Sequence, residues 1–298
     1  IYIPAGLALI VDYHKDKTRS LAIGIHMTGL YVGQALGGFG ATVAVQLSWQ
    51  TTFFIFGLIG MLYSIILILF LREKRVELTP QEGEDKSIKA GIKSIFAGLR
   101  LLLVNASFWV ILLYFAAPSL PGWATKNWLP TLFSTSLDVP MEYAGPLSTI
   151  TIASASFIGV IFGGILSDRW VLKNVRGRIY TGAIGLSLMI PALLLLGWGS
   201  SLIPVVAGAI FFGVGFGMFD ANNMPILCQF VAPKYRAAGY GLMNMTGVFA
   251  GAIITNVLGK STDSGSLGSH IAILAVGIFI VLIIQLSFLK PTVIDKAK

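Results

Sequence analysis

The chain has 298 residues, 55% hydrophobic and only 11% charged, with a formal net charge of +8. Soluble domains carry about 25% charged residues, so this chain cannot clothe itself in water, and its outer surface is expected to face lipid. Its basic residues fill gaps between apolar runs, which argues for membrane topology over a nucleic-acid partner. Its single Cys228 excludes a disulfide framework.

Nine apolar segments follow along the chain: 1–11, 21–45, 52–71, 108–132, 147–166, 179–198, 202–231, 237–259 and 271–289. The first, "IYIPAGLALIV", is too short to cross a bilayer core that needs about 20 helical residues. It lacks the basic start and cleavage site of a signal peptide, and reads as the second half of a helix that begins upstream. The others mostly reach spanning length. Their Gly and Pro content suits membrane helices better than soluble core helices.

Between the third and fourth segments lies the longest connection. "REKRVELTPQEGEDK" reads as a solvated linker. Ile88, Ile92, Ile95, Phe96, Leu99, Leu102 and Leu103 then recur at helical spacing among basic residues. The pattern predicts an amphipathic helix, lying on the inner membrane surface or packed on protein. Alternate connections and the C-terminal tail hold all but Lys126 and Lys260 of the 21 Lys and Arg residues. Cationic loops stay in the cytoplasm, so these connections and the tail are expected inside.

"RSLAIGIHMTGLYVGQALGG", from Arg19, has a second copy in "RAAGYGLMNMTGVFAGAIIT", from Arg236. Each follows a Pro-containing apolar segment, with Pro4 in one copy and Pro225 in the other. Such repeats suggest two related halves. If segments seven to nine repeat segments one to three, the full plan is six helices plus six, and this chain carries the fourth to the twelfth. The division expected is residues 1–71 for the last three helices of the N-terminal half and 72–107 for a cytoplasmic linker. Residues 108–289 form the C-terminal six-helix half, and 290–298 the tail.

That plan, together with "GGILSDR" and "RGR", resembles the major facilitator superfamily along the whole chain. The family's inner-loop signature, G-x-x-x-D-R followed by basic residues, is matched by Gly164, Asp168, Arg169, Arg176 and Arg178, although "WVLKNV" lengthens the loop. "SWQTTFFIFG" resembles the family's W-R-x-x-F helix entry, with Gln50 in place of Arg. "GIHMTGLYVG" and "VAPKYRAAGYG" look most like sugar-phosphate, organic-anion and spinster-like carriers. The fold implied is an all-α membrane protein, a major-facilitator-type helical bundle with nine of twelve transmembrane helices in this chain.

Asp168 ends a helix where the macrodipole already leaves partial negative charge, so it needs partners. Arg169, Arg176 and Arg178 are candidates, as is the N-terminus of a neighbouring helix such as the one near Arg236. The resemblance implies that this pairing latches the cytoplasmic gate. Asp12, seven residues before Arg19, is the counterpart in the other half. The alternative is that these cations only set topology.

Asp220 lies ten or more residues before the boundary marked by Lys234, about 15 Å deep. An intramembrane carboxylate is a functional-site candidate by default. It suits a cation, a coupling proton or a sugar hydroxyl, or else a structural pairing with a neighbouring helix. Asn223 shares its face, Asn222 points elsewhere, and Pro225 frees the Ala221 carbonyl. His26 is a proton site or a packing histidine, and Gln34 and Asn244 face a cavity or another helix. Trp123 and Trp128 flank Lys126 beside three prolines, as interfacial anchors or an outer gate. Gly29, Gly33 and Gly37 are explained by close helix packing.

The expected function is alternating-access transport of a small polar organic solute, the resemblance pointing to an organic anion or sugar derivative driven by protons or sodium. No metal or cofactor is expected, and the protein is expected to be a monomer in the plasma membrane. A polytopic membrane enzyme or receptor is the competing class, though no embedded catalytic set is spaced for it. A fragment that transports nothing alone is the third possibility.

Overall fold

A computed structural model describes residues 2–14, 17–37, 39–40, 43, 47–70 and 98–291, with the side chains of 2–5, 8 and 12 left aside. Ten α-helices are delimited among the described residues: α1 (Tyr2–Tyr13), α2 (Arg19–Gly37), α3 (Trp49–Phe70), α4 (Ala106–Leu137), α5 (Met141–Val171), α6 (Gly177–Trp198), α7 (Leu202–Asp220), α8 (Asn223–Phe230), α9 (Arg236–Asp263) and α10 (Leu267–Phe288). A 3-10 turn, Pro233–Tyr235, joins α8 to α9. There is no strand among the described residues. Among the described residues, seven helical stretches are long and apolar enough to cross a membrane, with α7 and α8 counted together. Neither α1, with 12 residues, nor α2, with its polar side chains, is among them.

The helices of 108–289 pack as a bundle: α7 lies against α5 and α6, α10 against α6 and α4, and α9 against α4. From the first segments, α2 packs on α5 and α1 on α9. Arg19 and Arg236, the paired arginines of the repeat, each begin their helix and are buried there. Helix α3 buries only Thr52 and presents apolar side chains on every side.

Backbones approach closely where both helices offer small residues four apart. Gly159 and Gly163 on α5 meet Gly213 and Gly217 on α7: a Cβ on Gly159 would lie 2.2 Å from the Val214 carbonyl oxygen, and one on Gly217 2.4 Å from that of Ser156. The glycines expected to pack, Gly29, Gly33 and Gly37, do not: a Cβ on any of them meets nothing within 4 Å. Overpacking a closed helix contact costs about 1–3 kcal/mol. Gly217→Ala is therefore expected to lower the melting temperature of the detergent-solubilised protein by several degrees, whereas Gly33→Ala should leave it unchanged.

Most of the predicted amphipathic helix lies outside the described residues. Its described end, 98–104, is helical and packs on protein: Gly98 abuts the Tyr235 ring, and Leu102 is buried beside Gly239. Helix α4 starts where Asn105 accepts the Ser107 N–H at 2.9 Å and ends at Asp138, whose φ of 51° is left-handed. It runs unbroken through Pro118, Pro121 and Pro130, so the helix does not break at these prolines.

Candidate functional site

The site starts from a break in a helix. The seventh apolar segment divides at Ala221–Asn222, between α7 and α8. Pro225 has no N–H to give the Ala221 carbonyl. The Asn222 amide meanwhile donates to the Met218 carbonyl at 2.7 Å, an alternative to helical pairing. Asp220 is the last residue before this break. One carboxylate oxygen accepts the Tyr31 hydroxyl of α2 at 2.7 Å, and the other accepts the Asn223 amide at 3.1 Å. Hydrogen bonds to an ionised acceptor are roughly twice as strong as neutral ones, so Asp220 binds α2 to α7 firmly.

Asp220 faces a cavity of about 540 Å³ bounded by α2, α4, α7 and α9. Its polar wall comprises Gln34, Ser119, Lys126, Asn127, Asn244 and Asp220. Its apolar wall is mostly aromatic: Phe115, Trp123, Phe216, Phe219 and Tyr240. The Lys126 ammonium stands 5.4 Å from the Trp123 ring centre and 5.8 Å from that of Phe216. Lys126 and Asp220 line the same cavity. Glycine makes room for both rings, since a Cβ on Gly251 would lie 2.5 Å from Trp123 and one on Gly122 2.6 Å from Phe216. A hollow of about 450 Å³ adjoins the cavity past Trp123, where Asn127 donates to Thr255 at 2.8 Å.

Gln34, Asn244 and Trp123 thus meet Asp220 at one cavity, while Asn223 supports Asp220 from behind. Asn222, read as pointing elsewhere, is fully buried and lies off the cavity wall, and His26, read as a proton site or a packing histidine, also lies off it, beside Gly6 of α1. Sequence reasoning missed Lys126 and Tyr31. Lys126 was counted with the outer connections, but α4 continues eleven residues beyond it. Trp123 is a cavity residue rather than an interfacial anchor, and Trp128 packs over Gly259.

A second cluster lies at the other end of α2. Asp168, 3% exposed, accepts the Ser20 N–H at 3.1 Å and the Leu21 N–H at 3.0 Å, both in the first turn of α2. This is an anion at a helix N-terminus, where free amides and the dipole favour it. The Arg178 guanidinium, fully buried, stands 3.9 Å from the carboxylate and donates to the Pro225 carbonyl of α8 at 3.2 Å. The partner helix is therefore the one starting at Arg19, not the one near Arg236. Arg236 turns instead to the Val231 and Cys228 carbonyls. Arg169 is exposed and makes no ion pair with Asp168. Arg176 is drawn away to the Leu286 carbonyl and the Tyr180 ring. The Asp12 side chain lies outside the described residues.

The chain is 25% identical to the probable chloroplastic anion transporter 3 of Oryza sativa subsp. japonica, over 88% of its own length and 53% of the relative's. It is 24% identical to the 3-(3-hydroxy-phenyl)propionate transporter of Escherichia coli (strain K12), over 95% and 68%. The chain spans about half to two-thirds of the length of the curated relatives it matches. An inward-facing, unoccupied bacterial homologue of the human lysosomal transporter Spinster superposes with a TM-score of 0.60 at 18% identity, covering 98% of this chain and 75% of the other. The family model of the Major Facilitator Superfamily matches residues 1–255, and with the helical bundle described above this chain belongs to that superfamily.

Proposed function

We propose that the protein moves a small organic anion across the membrane by alternating access, coupled to a proton carried on Asp220. One observation carries this reading: Lys126 and Asp220 face the same cavity, and Asp220 is bonded to Tyr31 of α2. Lys126 supplies the charge that would hold the anion. Asp220 competes for that charge, and its protonation leaves Lys126 to the solute, so proton and anion binding favour each other. A sodium ion fits the position less well. It needs several oxygen lone pairs, whereas Tyr31 and Asn223 present hydrogens to the carboxylate.

The cluster at Asp168 is the cytoplasmic latch in this reading, holding α2 against α5 while the cavity is closed on that side. The cationic connections and the tail then lie in the cytoplasm, and the protein resides in the plasma membrane. The anion transporters among the relatives support the solute class, and the cavity lined by Lys126 and Asp220 supports the binding site.

Uptake of labelled organic anions into proteoliposomes under an inward proton gradient tests this. Lys126→Gln is expected to lower uptake by at least tenfold, and Lys126→Arg to retain a substantial part of it. Equal uptake by wild type and Lys126→Gln would refute the assignment.

A further inference from the structure

We infer that the anion this cavity takes carries an aromatic ring next to its charged group; the inference rests on the reading of Lys126 as the anion site. A carboxylate or other anion drawn to Lys126 arrives between Trp123 and Phe216, whose rings lie 5.4 and 5.8 Å from the ammonium. The carbon skeleton behind the charge must therefore sit against rings. They continue as one connected wall: Phe216 to Phe219 at 5.6 Å, Phe219 to Phe115 at 6.0 Å, and Phe115 to Tyr240 at 6.0 Å. Ring centroids 4.5–7 Å apart are the spacing at which aromatic pairs attract beyond simple burial, so a ring on the solute can extend this series.

Size points the same way. A cavity of about 540 Å³ is within the range that encloses small organic ligands. Inorganic phosphate or a short aliphatic acid would engage Lys126 and leave the half-buried Trp123 ring uncovered. An aryl acid covers it. Gln34 on α2 and Asn244 on α9 remain as hydrogen-bonding groups for a ring substituent. At ordinary aromatic-pair strength, two such contacts give an aryl acid about tenfold tighter binding than an aliphatic acid of equal charge.

The test is calorimetric titration of the nanodisc-reconstituted protein with 3-phenylpropionate, 3-cyclohexylpropionate, butyrate and inorganic phosphate. Phenylpropionate is expected to bind about tenfold more tightly than each of the others. Trp123→Leu should remove most of that preference, with its folding shown by a monodisperse size-exclusion peak and an unchanged melting temperature. Phe216→Leu, on a different helix, makes the same test independently. Butyrate, phosphate or the cyclohexyl acid matching the phenyl acid would overturn the inference and leave the anion reading standing. A preference that survives in both variants would also overturn it. Failure of every probe to bind the wild type would remove the anion reading, and this inference with it.

Discussion

Asp220→Asn is expected to abolish proton-driven accumulation of the solute, a loss on the order of a hundredfold, while exchange of solute across the membrane without a gradient continues. The amide can still accept the Tyr31 hydroxyl through its oxygen, so the bond between α2 and α7 is kept in form. What it cannot do is change charge. In the wild type, lowering the pH protonates Asp220, withdraws its claim on Lys126 and tightens anion binding. A coupling of this kind typically amounts to 1–3 kcal/mol, or five- to 150-fold. In Asp220→Asn, Lys126 is released at every pH, so affinity should be high and flat with pH. Uptake under an imposed gradient and counterflow at equal pH separate the two effects. Wild-type accumulation by the variant, or a pH-dependent affinity that persists in it, would show that the coupling proton is carried elsewhere.

The second large effect is expected at the other end of α2. Asp168 accepts two backbone N–H groups and faces the fully buried Arg178. Asp168→Asn keeps one acceptor oxygen but sets an NH2 donor against the other backbone N–H, so one of the two amide bonds is lost, and it removes the charge that faces Arg178. Removing one partner of a buried pair costs about 3–5 kcal/mol. Part of the bonding survives here, so roughly 2 kcal/mol is lost, a shift of about thirtyfold toward the cytoplasm-open state. A Ser20→Cys reporter, buried in the closed latch, should react about thirtyfold faster with a bulky maleimide once Asp168→Asn is added. The native Cys228 is buried and contributes little background. An unchanged labelling rate would mean that the contact is structural and does not open during transport.

How much of this was written in the sequence depends on the range of each interaction. The spans were legible because lipid imposes a long apolar run on every crossing segment. Asp220 was legible because a carboxylate in such a run is rare, and the helix break beside it because Pro225 removes a donor. Lys126 was not, since a lysine near prolines and tryptophans looks the same in a loop as in a cavity wall. Only the continuity of α4 through three prolines, held by packing against α9 and α10, moves it inward. The partner of Asp168 was equally hidden. Ser20 lies 148 residues away in the chain, and no local pattern announces that α2 will lie on α5 rather than α9. The glycines misled for a related reason: Gly29 and Gly33 have the spacing of a packing seam but no backbone opposite them.

Helix α2 is fastened twice, by Asp168 at its first turn and by Asp220 at Tyr31, eleven residues and about 16 Å further on. A stiff rod pinned at two places cannot tilt. Freed at one, it can only swing about the other, along an arc whose radius is the distance between the pins. In the proposed cycle, protonation of Asp220 would loosen the Tyr31 pin while Asp168 still holds the foot of the rod, so the two ends need not let go together.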